Sequence, residues 1–371
     1  MKYNFYILAT IVMGLGVTGC KKTGADSAIN VTPAAPTVST SDATNITGTS
    51  ATIGGNITND GSTIIKEAGI VYSTTTGVDT SKNKTPNYTI SGPFSVNLKN
   101  LSLLTTYYYK AYAINEKGIT YGAEKSFFVP VNGYSSSSQV AATNLIAHWA
   151  FNGSYIDSVS KVVGTAVNAS GVSFVTGKMG QSVQVKNRGY INSNVTNTIA
   201  NLKSFTIVCW IQQPTSLAGS PTTFMPFSLD KAGYSWEQTK FFMLFDKPDN
   251  ATNTLGKICI MDQWFDKGQV WPRMLDGNWH QMAISFDGGS GAFRVYIDGT
   301  LLPQSSAHTF NPQNNFGPAD SFSLGGPNDA TNTTNGWMNS LSGNLDEFKV
   351  FNKVLTADEI VALYALQNKG F

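Results

Sequence analysis

The chain is predicted to be all-β, two β-sandwiches in tandem closed by one short helix, on three observations. Only 13% of its 371 residues are charged, about half the usual share, while Gly, Ser, Thr and Asn are abundant. Short runs of alternating apolar and polar residues recur between turn signals such as Asn59-Asp60-Gly61, Ser91-Gly92-Pro93 and Glu116-Lys117-Gly118. Hydrophobic residues make up 41% and aromatic residues 12%, enough for sizeable cores. The length suits two or three domains at roughly 100–200 residues each.

The N-terminus is the first element. After Lys2 an apolar run from Phe5 to Val17 is too short to span a bilayer as a mature helix. It ends in Val17-Thr18-Gly19-Cys20. This resembles the lipobox of bacterial lipoproteins, in which the chain is cut before the cysteine and the new N-terminus carries lipid. The resemblance implies a signal peptide over 1–19 and lipidation of Cys20; the alternative is an ordinary secretory signal that ends in Cys. Acyl chains at ~0.8 kcal/mol per buried CH₂ make a stable anchor. The expected location is the outer membrane, lipid-anchored at the cell surface, with the periplasmic face as the alternative. Residues 20–36, polar, small and Pro-containing, are expected to be a tether.

Residues 37–131 alternate like a small β-sandwich. The segment Leu101-Ser-Leu-Leu-Thr-Thr-Tyr107-Tyr-Tyr-Lys-Ala-Tyr112-Ala-Ile-Asn115 resembles the E–F corner and F strand of fibronectin type III-like domains. That resemblance makes Tyr107 the corner tyrosine, its hydroxyl bonded back to nearby backbone. The alternate tyrosines are expected to fill one core face and cover the other. Residues 132–143, with Ser135 to Ser138, are expected to be a Gly/Ser linker.

Residues 144–371 form the larger unit. In order come Leu145 to Gly153, Phe205-Thr-Ile-Val-Cys-Trp210-Ile, Gly277-Asn-Trp279-His280 to Gly288, Phe293 to Gly299, and Gly343-Asn-Leu-Asp346-Glu-Phe-Lys-Val-Phe-Asn352. These blocks resemble the LamG-like concanavalin A-type jelly roll of the lectin/glucanase superfamily. Alternation points Phe205, Ile207, Cys209 and Ile211 one way and Val208 and Trp210 the other, a strand covered on both faces. Asp298-Gly299 is a type I′ hairpin signal. Thr356-Ala-Asp-Glu359 is a capping box opening a helix with Ile360, Leu363 and Tyr364 on one stripe.

Several function classes find no support. Lys+Arg is 25 against 23 Asp+Glu. Removing 1–19 takes away Lys2 and leaves 24 − 23, about +1. No basic stripe follows phosphates, so nucleic acid is not an expected partner. The three histidines, His148, His280 and His308, have no metal-ligand spacing. There is no G-x-S-x-G elbow and no Glu-x-Asp-x-Glu triplet. Strand alternation is expected to send Asp346 and Glu347 to opposite faces, where they cannot flank one glycosidic bond. The chain is therefore expected not to be an enzyme; a glycoside hydrolase built from carboxylates on separate strands is the third reading. Of three cysteines, Cys209 and Cys259 remain beyond Cys20, either as a disulfide or as buried thiols.

The resemblance also implies a structural Ca²⁺ where the first and last strands of the jelly roll meet. Asn152, Asp157 and Asp346 could supply hard oxygens there, or the aspartates could only cap turns. Among seven tryptophans, Trp149, Trp210 and Trp279 fall in strand blocks and are expected in the core. Trp236, Trp264, Trp271 and Trp337 fall in connections, near Tyr234, Asp262, Gln263 and Arg273. Indole faces rimmed by amides and carboxylates are what a glycan platform needs. The expected function is non-catalytic carbohydrate binding at a Gram-negative cell surface, to a polysaccharide or host glycan, with other outer-membrane glycan-uptake proteins as candidate partners. The runner-up is an adhesion or scaffold lipoprotein that binds a protein.

Overall fold

The computed structural model describes residues 32–87, 89–194, 202–217, 223–230, 241–245, 254–260, 263–265, 270–271, 274, 276–302, 321–326 and 338–371. Cys20 and the segment before it lie outside them.

The first sandwich holds β1 (Thr37–Thr40), β2 (Ala51–Asn59), β3 (Glu67–Ser73), β4 (Asn83–Asn87), β5 (Gly92–Leu98), β6 (Thr105–Asn115), β7 (Gly118–Tyr121) and β8 (Lys125–Val129). Strands β1–β2–β5 form one sheet and β4–β3–β6–β7 the other, with β8 also on β6. Alternation along β6 does what the sequence predicts. Tyr107, Tyr109, Ala111 and Ala113 face the core with Ile53, Ile70 and Phe127. Tyr112 packs on the other face against Val71 and Val78. The Tyr107 hydroxyl accepts a hydrogen bond from the Ser102 N–H at 3.1 Å, the predicted corner bond.

The second body holds β9 (Leu145–Trp149), β10 (Thr165–Val167), β11 (Val172–Thr176), β12 (Gln181–Val185), β13 (Tyr190–Ser193), β14 (Phe205–Gln212), β15 (Thr223–Asp230), β16 (Phe241–Phe245), β17 (Thr254–Ile260), β18 (Gln263–Phe265) and β19 (Val270–Trp271). It continues with β20 (Trp279–Asp287), β21 (Ala292–Ile297), β22 (Thr300–Leu301), β23 (Ser321–Leu324), β24 (Met338–Ser340), β25 (Gly343–Phe351) and the helix α1 (Ala357–Asn368). One sheet runs β11–β12–β25–β14–β20–β21–β22 with β9 on β25. The facing sheet runs β10–β13–β23–β15–β16–β17–β18.

Between them lies the main core. Phe205, Ile207, Cys209 and Ile211 of β14 meet Phe227, Phe241, Phe322 and Phe348 there. The other face of the first sheet is covered by α1. Val208, Ala283 and Tyr296 pack on Ile360, Leu363 and Leu366. The capping box forms as predicted: Glu359 N–H donates to Thr356 Oγ1 and Thr356 N–H to Glu359 Oε2. Asp298 and Gly299 both have positive φ, 50° and 75°, as a type I′ turn requires.

Three findings differ from simple alternation. First, the pair Asp346 and Glu347 lies on one face. Between Val208 and Trp210, β25 carries one residue more than β14, a β-bulge in which Glu347 takes φ 49°. The extra residue breaks the period of two, so both carboxyl groups end on the helix-covered side. Second, residues 132–143 are packed. Val131, Tyr134 and Val140 join the α1 cluster, the Ser137 N–H donates to the Phe371 carbonyl, and Asn132 Nδ2 donates to the Asp358 carbonyl. Third, Cys209 is a free, buried thiol, and burial pushes its pKa up.

Gln367 joins α1 to the sheet. Its Oε1 accepts from Trp210 Nε1 and Gln281 Nε2, both at 2.8 Å, and its Nε2 donates to Glu347 Oε2 at 3.0 Å. Replacing Gln367 by Leu leaves two buried donors without an acceptor and is expected to cost about 2 kcal/mol or more. Thr356→Ala, which removes only the cap, is expected to cost about 1 kcal/mol. Urea unfolding of the two variants checks the order.

Candidate functional site

Beyond the area covered by α1, the same outer face carries a row of polar side chains. Antiparallel register places Gln184 of β12 opposite Asn344 of β25, Asn344 opposite Gln212 of β14, and Gln212 opposite Trp279 of β20. Residues directly opposed across antiparallel strands share a face. The row therefore crosses four neighbouring strands in a straight line.

The amides are bonded head to tail. Gln184 Nε2 donates to Asn344 Oδ1 at 3.3 Å, Asn344 Nδ2 to Gln212 Oε1 at 2.8 Å, and Gln212 Nε2 to the Gly277 carbonyl at 2.8 Å. Each amide NH₂ has a second N–H and each oxygen a second lone pair. The row thus has fixed orientation and spare capacity on both sides of the hydrogen-bonding ledger. Its three amides floor a cleft of about 550 Å³ whose described walls add Lys186, Pro214, Thr215 and Ser342, with Trp279 next to Gln212 just outside that lining. That volume falls in the ~300–1,000 Å³ range of small-ligand sites. Gly343 is required where β25 meets β14, because a Cβ there would strike the Gln212 carbonyl oxygen.

Gly277 also lines the cleft, and the turn that carries it, Asp276–Asn278, is held by His280. His280 Nδ1 lies 2.7 Å from Asp298 Oδ2 and Nε2 lies 3.1 Å from Asp276 Oδ1. The Asp298 bond raises the histidine pKa, burial opposes, and Asp276 adds to the rise. Gly277, at φ 82°, donates its N–H to the Gln213 carbonyl, so turn and strand end are bonded in both directions.

The residues singled out in the sequence fall elsewhere. Tyr234, Trp236, Asp262, Arg273 and Trp337 lie outside the described residues. Gln263 and Trp264 lie on β18 and Trp271 on β19, both paired to β17 of the facing sheet. Trp149 and Trp210 are fully buried, as expected, whereas Trp279 is half-buried beside Gln212. Gln184, Gln212 and Asn344 were not legible as a group. Each is one polar residue in a separate strand block, and only register aligns them.

The calcium candidates hold turns. Asp157 Oδ1 accepts from the His148 and Val159 N–H groups, and its Oδ2 from the Ser160 N–H and hydroxyl. Asn152 Oδ1 accepts from the Gln181 N–H, and Asp346 Oδ2 from the Met179 N–H. These oxygens face N–H donors, and among the described residues no three His, Cys, Asp or Glu side chains group as a metal cage. Burial pushes Asp346 up to about 7 against its N–H bonds. Burial also opposes ionisation of Glu347, but His148 and Lys349 outweigh it and hold the carboxyl down at about 2.

Residues 185–361 match the family model of the concanavalin A-like lectin/glucanases superfamily, in its laminin G form. That span contains Gln212, Trp279 and Asn344 and begins one residue after Gln184. Among curated proteins, neuronal pentraxin-2 of Mus musculus is 24% identical over 173 residues, 46% of this chain and 36% of its own length. The Homo sapiens protein gives the same figures. The chain thus spans about a third of the length of these relatives. Among solved structures, domain 4 of AbnA, a GH43 extracellular arabinanase from Geobacillus stearothermophilus in complex with arabinotriose, is 22% identical. It covers 60% of this chain and 98% of its own at TM-score 0.43. The SAP-like pentraxin of Limulus polyphemus is 14% identical over 46% of this chain and 73% of its own, at TM-score 0.32.

A histidine whose pKa is raised on folding contributes stability that is complete below its ordinary value of 6.5 and is lost as pH rises through the raised value. The urea midpoint is expected to fall over that window in the wild type and less in His280→Gln. Subtracting the two curves isolates His280 from Asp346, whose own loss runs from 3.8 to about 7.

Proposed function

We propose that the chain is a membrane-anchored, non-catalytic carbohydrate-binding protein whose ligand lies in the cleft floored by Gln184, Asn344 and Gln212. The observation that carries this reading is the amide row, with spare donors and acceptors and an indole at one end. Planar amides offer both to the paired hydroxyls of a sugar ring, and a half-buried indole offers a flat apolar face to its C–H surface. The match to a lectin/glucanase superfamily supports the reading.

The described cleft walls carry no carboxylate. Glycoside hydrolysis needs two, on either side of the bond. Asp346 and Glu347, though on one face, are buried; Asp346 is engaged by the Met179 and Glu347 N–H groups, and Glu347 by His148, Lys349 and Gln367. In this reading the fibronectin III-like first sandwich is a spacer, and lipid on Cys20 is the anchor.

Asn344→Ala removes two ladder bonds at about 0.5–1.5 kcal/mol each. It is expected to weaken glycan binding by about tenfold or more without loss of the folded signal. A glycan array probed with the full chain and with this variant is the test. A folded wild type that binds no glycan, but does bind a protein, would replace this reading with adhesion. Cys20→Ser is expected to move the chain from the membrane fraction to the soluble fraction and to abolish incorporation of labelled fatty acid.

A further inference from the structure

From the direction of the row and the charge at its end, we infer that the cleft selects an extended, acidic oligosaccharide. Its chain runs across the strands, with a carboxylate-bearing sugar at the Gln184 end. This deepens the carbohydrate reading and rests on it.

Three observations carry the inference. The row is straight, and its four members sit on successive strands about 4.8 Å apart, so it is about 14 Å long. A strand spacing is close to the rise of one pyranose along an extended, equatorially linked chain. Such a chain laid along the row meets one side chain per ring, whereas a compact or branched glycan meets one or two.

The two ends differ chemically. At the β20 end stands Trp279, half-buried, opposite Gln212. At the β12 end stands Lys186, two residues beyond Gln184 on the same side of the chain and lining the same cleft.

Lys186 is exposed, and among the described residues it forms no ion pair. It is also the only charged side chain among the described residues lining the cleft. A lone ammonium with neutral amides beside it favours a carboxylate on the sugar over a neutral hydroxymethyl group, through a charge-assisted hydrogen bond. An amide floor of both donors and acceptors has no bias of its own between the two.

The test uses the full chain and a panel of oligosaccharides in matched pairs, each pair sharing linkage and length. One member of each pair is neutral and the other carries a C6 carboxylate, as in β-1,4-glucotetraose and β-1,4-glucuronate tetramer. The uronate member of a bound pair is expected to bind about tenfold tighter at low salt. Lys186→Gln is expected to abolish that preference, bringing the two members of each pair to equal affinity. Trp279→Ala is expected to weaken both members alike. Longer oligomers are expected to gain affinity up to four sugars and to level off beyond. Equal binding of neutral and acidic members, or a preference that survives Lys186→Gln, overturns the inference and leaves the carbohydrate reading standing. A folded chain that binds no member of any pair overturns both.

Discussion

The antiparallel pairing of β14 with β25 is the interaction on which the larger body depends. Through it, Ile207, Cys209 and Ile211 are delivered to the core between the sheets, and Val208 and Trp210 to the helix on the other side. The pairing is not uniform. At its middle the bulge at Asp346 and Glu347 turns two carboxyl groups toward α1, where Glu347 meets His148, Lys349 and Gln367. At its far end Gly343 lets the two backbones approach, and there the side chains of Gln212 and Asn344 meet. One strand pair thus sets the core, the seat of the helix and the floor of the cleft.

Helix α1 and the cleft divide the outer face by chemistry. Where β14, β20 and β21 present Val208, Ala283 and Tyr296, an apolar stripe of the helix covers them. Two buried donors under that cover share one acceptor, although Gln281 Oε1 itself has no partner among the described residues. Trp210 and Gln281 both donate to Gln367, because a buried donor left alone would cost more than the bond contributes. Past the helix the same face, now on β12, β25 and β14, carries Gln184, Asn344 and Gln212, which bond to one another and so form a flat, oriented surface.

Much of the fold was legible from local signals. The both-sided strand at 205–211, the Asp298-Gly299 turn, the Thr356 cap and the Tyr107 corner each follow from a few adjacent residues. The bulge was not, since nothing in Gly343 to Phe351 marks where the period of two fails. The packing of the linker was not legible either: its Gly/Ser-rich composition does not show that Val131, Tyr134 and Val140 reach the helix cluster. The candidate site was the least legible part. Tryptophan attracts attention as a ligand platform, and two of the loop tryptophans with described backbone lie on the facing sheet. An amide row has no sequence signature, because its members are separated by the intervening strands and meet only through register.

The packed link between the two sandwiches has a mechanical consequence. A slack linker would let the larger body swivel and would dissipate any pull on it. Here Tyr134 and Val140 are wedged into the α1 cluster, and the ring of Phe371 lies 5.3 Å from that of Phe128 on β8. A pull on the larger sandwich therefore meets side-chain packing at this junction before it reaches a bare run of chain.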